Sequence, residues 1–403
     1  MSEREIKRAV VLCRSTTTTS EEWLWGQRLC EELLRGSSPS EQVVVLDYSQ
    51  TVTIRQALSA TAAQHIGVVL DDKALWGPVG WGSLQDILDS QDGIIAVAPV
   101  SNEAVVSEQK VAPPFLYSTP SLLRHAGHEH YQLYRRQWNE VPALDPFAFL
   151  VRRTDLNRLG PSVPLRQVPQ VLARQGGRLA VALDTYVHRY APVYEQLRPD
   201  IQSCVPTDAR TILDIGCAAG AFGAILKKRQ GCRVTGIELN TALAETATLR
   251  LDRVLVANVE TLPATTFAQE FDCITCGDVL EHLRDPWSVV TKLAAWLRPE
   301  GRMIATTPNV GHWSIVADLL RGRWDIVPFS LLSWEHLRFF TRTGIEQLFR
   351  GCGFTLELLH GMKTELPVVG ETFLRQAASL MPEADIESLR TSEFLIVARK
   401  EAA

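Results

Sequence analysis

Short, nearly unbroken apolar runs recur along the 403-residue chain, separated by stretches in which apolar residues return every three to four positions. The runs read as strands buried on both faces, and the stretches between them as amphipathic helices. In the second half, TILDIG (211–216), RVTGIEL (233–239), DRVLVAN (252–258), FDCITCGD (271–278) and GRMIATTP (301–308) read as five strands. Helices are expected near 184–197 and over 221–229, 241–250, 286–297 and 342–350, with FTLELLH (354–360) and EFLIVAR (393–399) as a closing strand pair. Such alternation predicts parallel βαβ units in a doubly wound α/β sheet. The first half has its own strands at 8–14, 42–48, 66–72 and 92–100 and a helix at 20–34, which predicts a second, smaller α/β domain.

The clearest break in composition is LGPSVPLRQVPQVLARQGGR, with its three prolines and three glycines. It sets the expected division at a first domain over 1–158, a linker over 159–180 and a second domain over 181–403. That second domain carries insertions at 309–341 and 361–391.

Composition narrows the function classes. Hydrophobic residues make up 46% and charged residues 22%, so the chain can bury a sizeable core. Forty-one basic against 46 acidic residues leave a charge of −5, which does not suit wrapping nucleic acid. The opening lacks the apolar core of a signal peptide, and no stretch has the ~18 apolar residues of a membrane span, so the expected location is the cytoplasm. The eight cysteines are scattered. Cys273 and Cys276 fall on a predicted strand, where residues three apart face opposite ways, and no metal site is expected there. His125, His128 and His130 read as a polar loop leading into a helix.

The chemistry concentrates in LDIGCAAGAFG (213–223), a glycine-rich turn between a strand and a helix. Gly216 allows the turn, Gly220 lets a ligand approach the backbone, and Gly223 lets the helix pack closely. Asp214 stands at the end of the first strand and Glu238 at the end of the next, where a carboxylate can accept both ribose hydroxyls. A nicotinamide dinucleotide and S-adenosylmethionine both use such a site. A pyrophosphate wants G-x-G-x-x-G, whereas this loop reads G-C-A-A-G-A-F-G.

LDIGCAAGAFG, VTGIELN, ANVETLP, FDCITCGDVLEHLRDP and LRPEGRMIATTPN, five collinear blocks, resemble the class I S-adenosylmethionine-dependent methyltransferases, including the ubiquinone-type and sugar O-methyltransferases. The resemblance implies a Rossmann-like sheet and S-adenosyl-L-methionine as cofactor. It places Asp214 and the loop Gly216, Cys217, Ala218 and Gly220 at the methionine, and Glu238 at the ribose with Leu239 beside it. Asn258 and Val259 would flank the adenine, and Gly277 and Asp278 would line the methyl-transfer face. Ala218 departs from a common glycine and Asn258 from the usual aspartate. For an oxygen acceptor, His282, His312 and His336 are the candidate general bases. The Trp- and Arg-rich insertion 309–341 reads as an acceptor pocket or lid, or as a satellite core over the sheet. The insertion 361–391 reads as core or, in a homo-oligomer, as a subunit interface.

VVLDDKALWGPVGWGSLQDIL, IIAVAPVSNEA and DPFAFLVRRTDLNRLG resemble the later part of a family-2 glycosyltransferase domain of the nucleotide-sugar (A-type) fold. That likeness would put Asp71 and Asp72 at a metal motif, but the spaced D-x-D is absent. An acceptor-recognition or vestigial module is therefore expected rather than active glycosyl transfer. The leading reading is an enzyme that methylates an oxygen of a sugar, glycan precursor or other polar metabolite. The alternatives are a bifunctional glycosyl- and methyltransferase and a non-catalytic cofactor-binding scaffold.

Overall fold

A computed structural model describes residues 7–15, 41–48, 51–71, 75–76, 80–112, 119–189, 197–326 and 330–401. The chain forms two units that meet in sequence between Ala191 and Pro192.

The first unit is built on an eight-stranded sheet in the order β2-β1-β3-β7-β5-β8-β4, with β6 also paired to β8. Its strands are β1 (Arg8–Ser15), β2 (Glu41–Tyr48), β3 (His65–Val69), β4 (Leu75–Trp76), β5 (Ile94–Ser101), β6 (Trp138–Val141), β7 (Ala148–Arg152) and β8 (Arg178–His188). β1, β2 and β3 run parallel, and β7 runs antiparallel to both β3 and β5. The helix expected over 20–34 lies outside the described residues.

Three expectations fail here. The linker 159–180 contains a helix, Val168–Arg174, and the start of β8. The helix expected near 184–197 begins instead inside β8, whose residues 179–182 and 184–187 are all buried. β8 is hydrogen-bonded to β5 on one side and β6 on the other. A strand covered on both faces has no polar alternation, so its apolar run gives no period to separate it from a helix. The histidines 125, 128 and 130 sit within a helix, Pro120–Tyr134, capped by the Thr119 hydroxyl, and not in a loop before one.

The second unit is a seven-stranded sheet in the order β11-β10-β9-β12-β13-β15-β14. Its strands are β9 (Thr211–Ile215), β10 (Arg233–Glu238), β11 (Arg253–Val256), β12 (Phe271–Gly277), β13 (Leu297–Pro308), β14 (Phe354–Lys363) and β15 (Thr391–Lys400). The first five are parallel, while β15 and β14 close the edge antiparallel. Both faces are covered. Val289, Leu293 and Trp296 from the helix Pro286–Trp296 and Ile345, Leu348 and Phe349 from Arg342–Gly351 pack on one face. Ile201, Phe222, Leu226 and Ala247 from three other helices pack on the other. Cys273 joins the second cluster and Cys276 the first, so the two thiols point away from each other across the sheet. The strand order reverses between β9 and β12, which opens a crevice at their carboxyl ends.

Candidate functional site

The crevice is lined first by the turn after β9. Gly216 and Gly220 adopt φ of 71° and 79°, a region open to glycine and costly to other residues. A Cβ on Gly216 would lie 2.8 Å from Val279 Cγ2, and one on Gly220 would lie 3.1 Å from the Cα of Ala247. Ala218 holds a left-handed φ of 46° despite its Cβ, at a cost on the order of 1 kcal/mol. Its N–H donates to Glu238 Oε2 at 2.9 Å, and the other oxygen of Glu238 accepts from Asn240 N at 2.8 Å. Glu238 thus joins the glycine turn to the start of the helix Thr241–Thr248. Cys217 is buried beneath the turn.

Asp214 is buried one strand away, where Thr275 Oγ1 donates to its Oδ1 at 2.8 Å. Burial, reinforced by Glu238 and opposed by the Thr275 bond, pushes its pKa up to about 7. A cation entering the crevice would draw Asp214 into its charged form. Leu239 is 69% exposed beside Glu238, an apolar surface at the mouth. Asn258 turns its amide oxygen to Glu260 N at 2.8 Å. Val259 is buried in the core, its carbonyl accepting from Lys292 Nζ at 2.7 Å.

The transfer side is built at the ends of β12 and β13. Cys276 pairs with Ile215, which sets Gly277 beside the glycine turn. Asp278 follows with φ 53°. Thr306 of β13 donates through its hydroxyl to Asp278 Oδ1 at 2.8 Å. Arg198 binds Asp278 and donates to Thr306 Oγ1 at 2.9 Å and Glu393 Oε1 at 3.2 Å.

A short 3-10 turn, Leu280–His282, carries the chain onward. Glu281 is 1% exposed. One oxygen accepts from Thr307 Oγ1 at 3.1 Å, and the other has no hydrogen-bond partner among the described residues. Burial, then Asp278, hold its pKa well above the carboxylate range. The rings of His282 and His336 meet edge to face at 4.9 Å. His282 Nδ1 lies 3.0 Å from the carbonyl of Glu335, and His336 Nδ1 lies 3.2 Å from that of Leu331. A carbonyl only accepts, so each Nδ1 carries the proton and each neutral ring keeps its lone pair on Nε2. Burial and the neighbouring His282 lower the His336 pKa to about 4. Glu281, His282 and His336 each offer one ligand atom, all within 4.8 Å, a set able to hold a proton or a divalent cation.

The Methyltransferase domain family matches residues 182–359. The ubiquinone biosynthesis O-methyltransferase of Histophilus somni (strain 2336) is 30% identical over 175 residues, covering 38% of this chain and 71% of that protein. The chain belongs to the S-adenosylmethionine-dependent methyltransferases. S-adenosylmethionine is its cofactor. The ubiquinone biosynthesis O-methyltransferase of Psychrobacter arcticus is 27% identical over 161 residues, which cover 38% of this chain and 62% of that protein. A solved S-adenosylmethionine-dependent methyltransferase from Mesorhizobium loti is 19% identical, covers 50% of this chain and 96% of its own, and superposes with a TM-score of 0.37.

In this methyltransferase His312 stands apart from the other two histidines. It is buried at the start of the helix Trp313–Leu320, with Nδ1 2.8 Å from Ser314 Oγ and a pKa lowered to about 4 by burial. The insertion 309–341 forms a small core around Ile315, Leu331 and Leu332, while Trp324 packs edge to face on Phe339 at 5.2 Å. Its backbone is tied to the transfer side, because Leu337 N and Arg338 N both donate to the Glu281 carbonyl.

The sequence pattern does not single out Arg198, Thr306, Glu281 or Glu393. Glu281 does have a local signal, since it directly precedes His282 three residues after Asp278. Arg198 and Glu393 have none, because they arrive from opposite ends of the unit. In the first unit Asp71, expected at a metal motif, is paired with Arg189 at 2.6 Å, and Asp72 lies outside the described residues. No step is derived through a metal there.

Proposed function

We propose that this methyltransferase carries the methyl group of S-adenosylmethionine to an oxygen of a small polar acceptor in the cytoplasm, with sugars and glycan precursors the first class to test. The relatives' names, which specify O-methyltransferases, support the oxygen. The sugar class rests on the glycosyltransferase resemblance of the first half. Asp214 and the turn Gly216–Gly220 would hold the methionine and Glu238 the ribose hydroxyls. Leu239, Asn258 and Val259 would enclose the adenine, and Gly277 and Asp278 would border the reacting sulfur.

The transfer is a single displacement. A lone pair of the acceptor oxygen forms the O–C bond as the C–S bond breaks, and the sulfonium leaves as a neutral thioether. Alignment and exclusion of water carry much of the rate. The acceptor's proton goes to Nε2 of His282, the lone pair left when Nδ1 is committed to Glu335. That pairing of His282 with His336 beside buried Glu281 is the observation that carries the reading. A second reading, in which a divalent cation held by Glu281, His282 and His336 acidifies the acceptor hydroxyl, is favoured by the oxygen of Glu281 that has no hydrogen-bond partner among the described residues.

The test is formation of S-adenosylhomocysteine with free sugars, sugar nucleotides and phenols as acceptors. His282→Ala should slow turnover by roughly 10²-fold or more while leaving S-adenosylhomocysteine affinity within twofold. Full turnover in that variant removes His282 from the chemistry, and turnover with amines alone removes the oxygen. Loss of turnover on chelation, restored by a divalent ion, selects the second reading.

A further inference from the structure

The methyl-transfer step above makes no use of Glu393, which lies near the start of β15, opposite Pro308 of β13 and Met362 of β14. Arg198 reaches across from the helix Pro199–Cys204 side and binds Asp200, Asp278 and Glu393 with one guanidinium. The carboxyls of Asp278 and Glu393 are thereby held on one guanidinium, where each opposes the other's charge. Glu281 faces both. Three carboxyls, those of Asp200, Asp278 and Glu393, thus share one arginine. Lys363, on the strand beside β15, is engaged by Glu387 at 2.6 Å. Burial, then Asp278, raise the Glu393 pKa to about 8, against the pull of Arg198 and Thr306. Its proton is thus exchangeable close to neutral pH.

The cluster lies at the crevice. Thr306 pairs with Gly277, and the residue before Gly277 pairs with Ile215 at the glycine turn. The cofactor enters this crevice with a positive sulfonium and leaves with a neutral sulfur, so the negative charge facing that atom decides how substrate and product forms compare.

We infer that Glu393 is a positioning residue that determines specificity for the cofactor's charge. Acting through the guanidinium it shares with Asp278, it sets the negative charge at the transfer face and so the preference for S-adenosylmethionine over S-adenosylhomocysteine. The inference rests on the cofactor and is independent of the acceptor and of the base.

The experiment is calorimetric titration of the full chain with each of the two ligands, near pH 6.5 and near pH 9. They share methionine, ribose and adenine, so the difference between wild type and Glu393→Gln in how the ratio of their Kd values changes with pH isolates what Glu393 does at the sulfonium. In the wild-type protein, Glu393 loses its proton across this range. The preference for S-adenosylmethionine should rise roughly fivefold, the scale of one partly screened charge. In Glu393→Gln the rise should shrink below about twofold. A flat ratio in the wild type overturns the inference. So does an undiminished rise in Glu393→Gln, which would assign the titration to another group such as Asp214. The wild type alone gives an independent reading. Near pH 8, S-adenosylmethionine should release more protons on binding than S-adenosylhomocysteine, measured in two buffers of different ionisation enthalpy. Equal release contradicts the inference whatever the variant does.

Discussion

Asp71 and Asp145, at the carboxyl edge of the first sheet, share the guanidinium of Arg189 at 2.6 and 3.0 Å, whereas Asp214, Glu281 and Glu393, at the same kind of edge in the second, are pushed by burial toward holding their protons. Arg189 also lies 4.7 Å over the ring of Phe147, and its backbone exchanges hydrogen bonds with Asn102, the residue after β5. The residues that follow β3, β5 and β8 are in this way locked to one another. In the second unit one arginine serves a cluster of acids, and Asp214 accepts from Thr275 with no ion pair among the described residues. Acids neutralised from within stabilise an edge. Acids left short of positive charge burden the fold until a cationic ligand arrives, and S-adenosylmethionine carries two positive groups on its methionine end.

The largest expected effect tests the first half of this comparison. Arg189→Gln leaves Asp71 and Asp145 facing each other without their cation and should cost about 3 kcal/mol in stability. Denaturant unfolding measures the cost, and affinity for S-adenosylhomocysteine should stay within twofold. A fall in that affinity with unchanged stability would reverse the roles given to the two edges.

A smaller effect, of opposite sign, is expected in the second unit. The folded-state pKa of Asp214 is raised to about 7 from an ordinary value of 3.8, so the ligand-free fold prefers the proton. Stability is whole below about pH 4 and is lost as the pH climbs through 7 and the carboxylate is forced to ionise in place. Asp214→Asn removes that burden and keeps an acceptor for Thr275. The ligand-free variant should be more stable than the wild type by on the order of 2 kcal/mol near pH 8, with the gain vanishing near pH 4. A thermal-melt series across pH that showed the variant weaker at both ends would place Asp214 among the structural acids.

Legibility in the sequence followed the distance over which each feature is assembled. The glycine turn, Asp214 and Glu238 are local features of strand ends, and the strands β9, β10 and β12 fall where their apolar runs place them. Ala218 is a finer case. Its identity is plain in the sequence, but the left-handed backbone it must hold, and the bond to Glu238 that keeps it there, exist only in the fold. β8 was illegible because both its faces are buried, and the division of the chain moved with it. The transfer side was illegible for another reason. Arg198, Asp278, Thr306 and Glu393 lie up to 195 positions apart and meet only when the antiparallel β15 is laid against β13. Of the three histidines, residue type alone could not separate His312, which turns inward to Ser314, from His282 and His336, which the insertion 309–341 brings together.

The most direct test of the central claim, that the edge short of positive charge is the cofactor site, is calorimetric titration of S-adenosylhomocysteine into the wild type and Glu238→Ala. Glu238 holds Ala218 N and Asn240 N and is the residue proposed for the ribose, so its loss removes both a ligand contact and the support of the turn. Binding should weaken by roughly 100-fold or more, the loss of two charge-assisted hydrogen bonds. Unchanged affinity in a folded variant would contradict the assignment of this crevice.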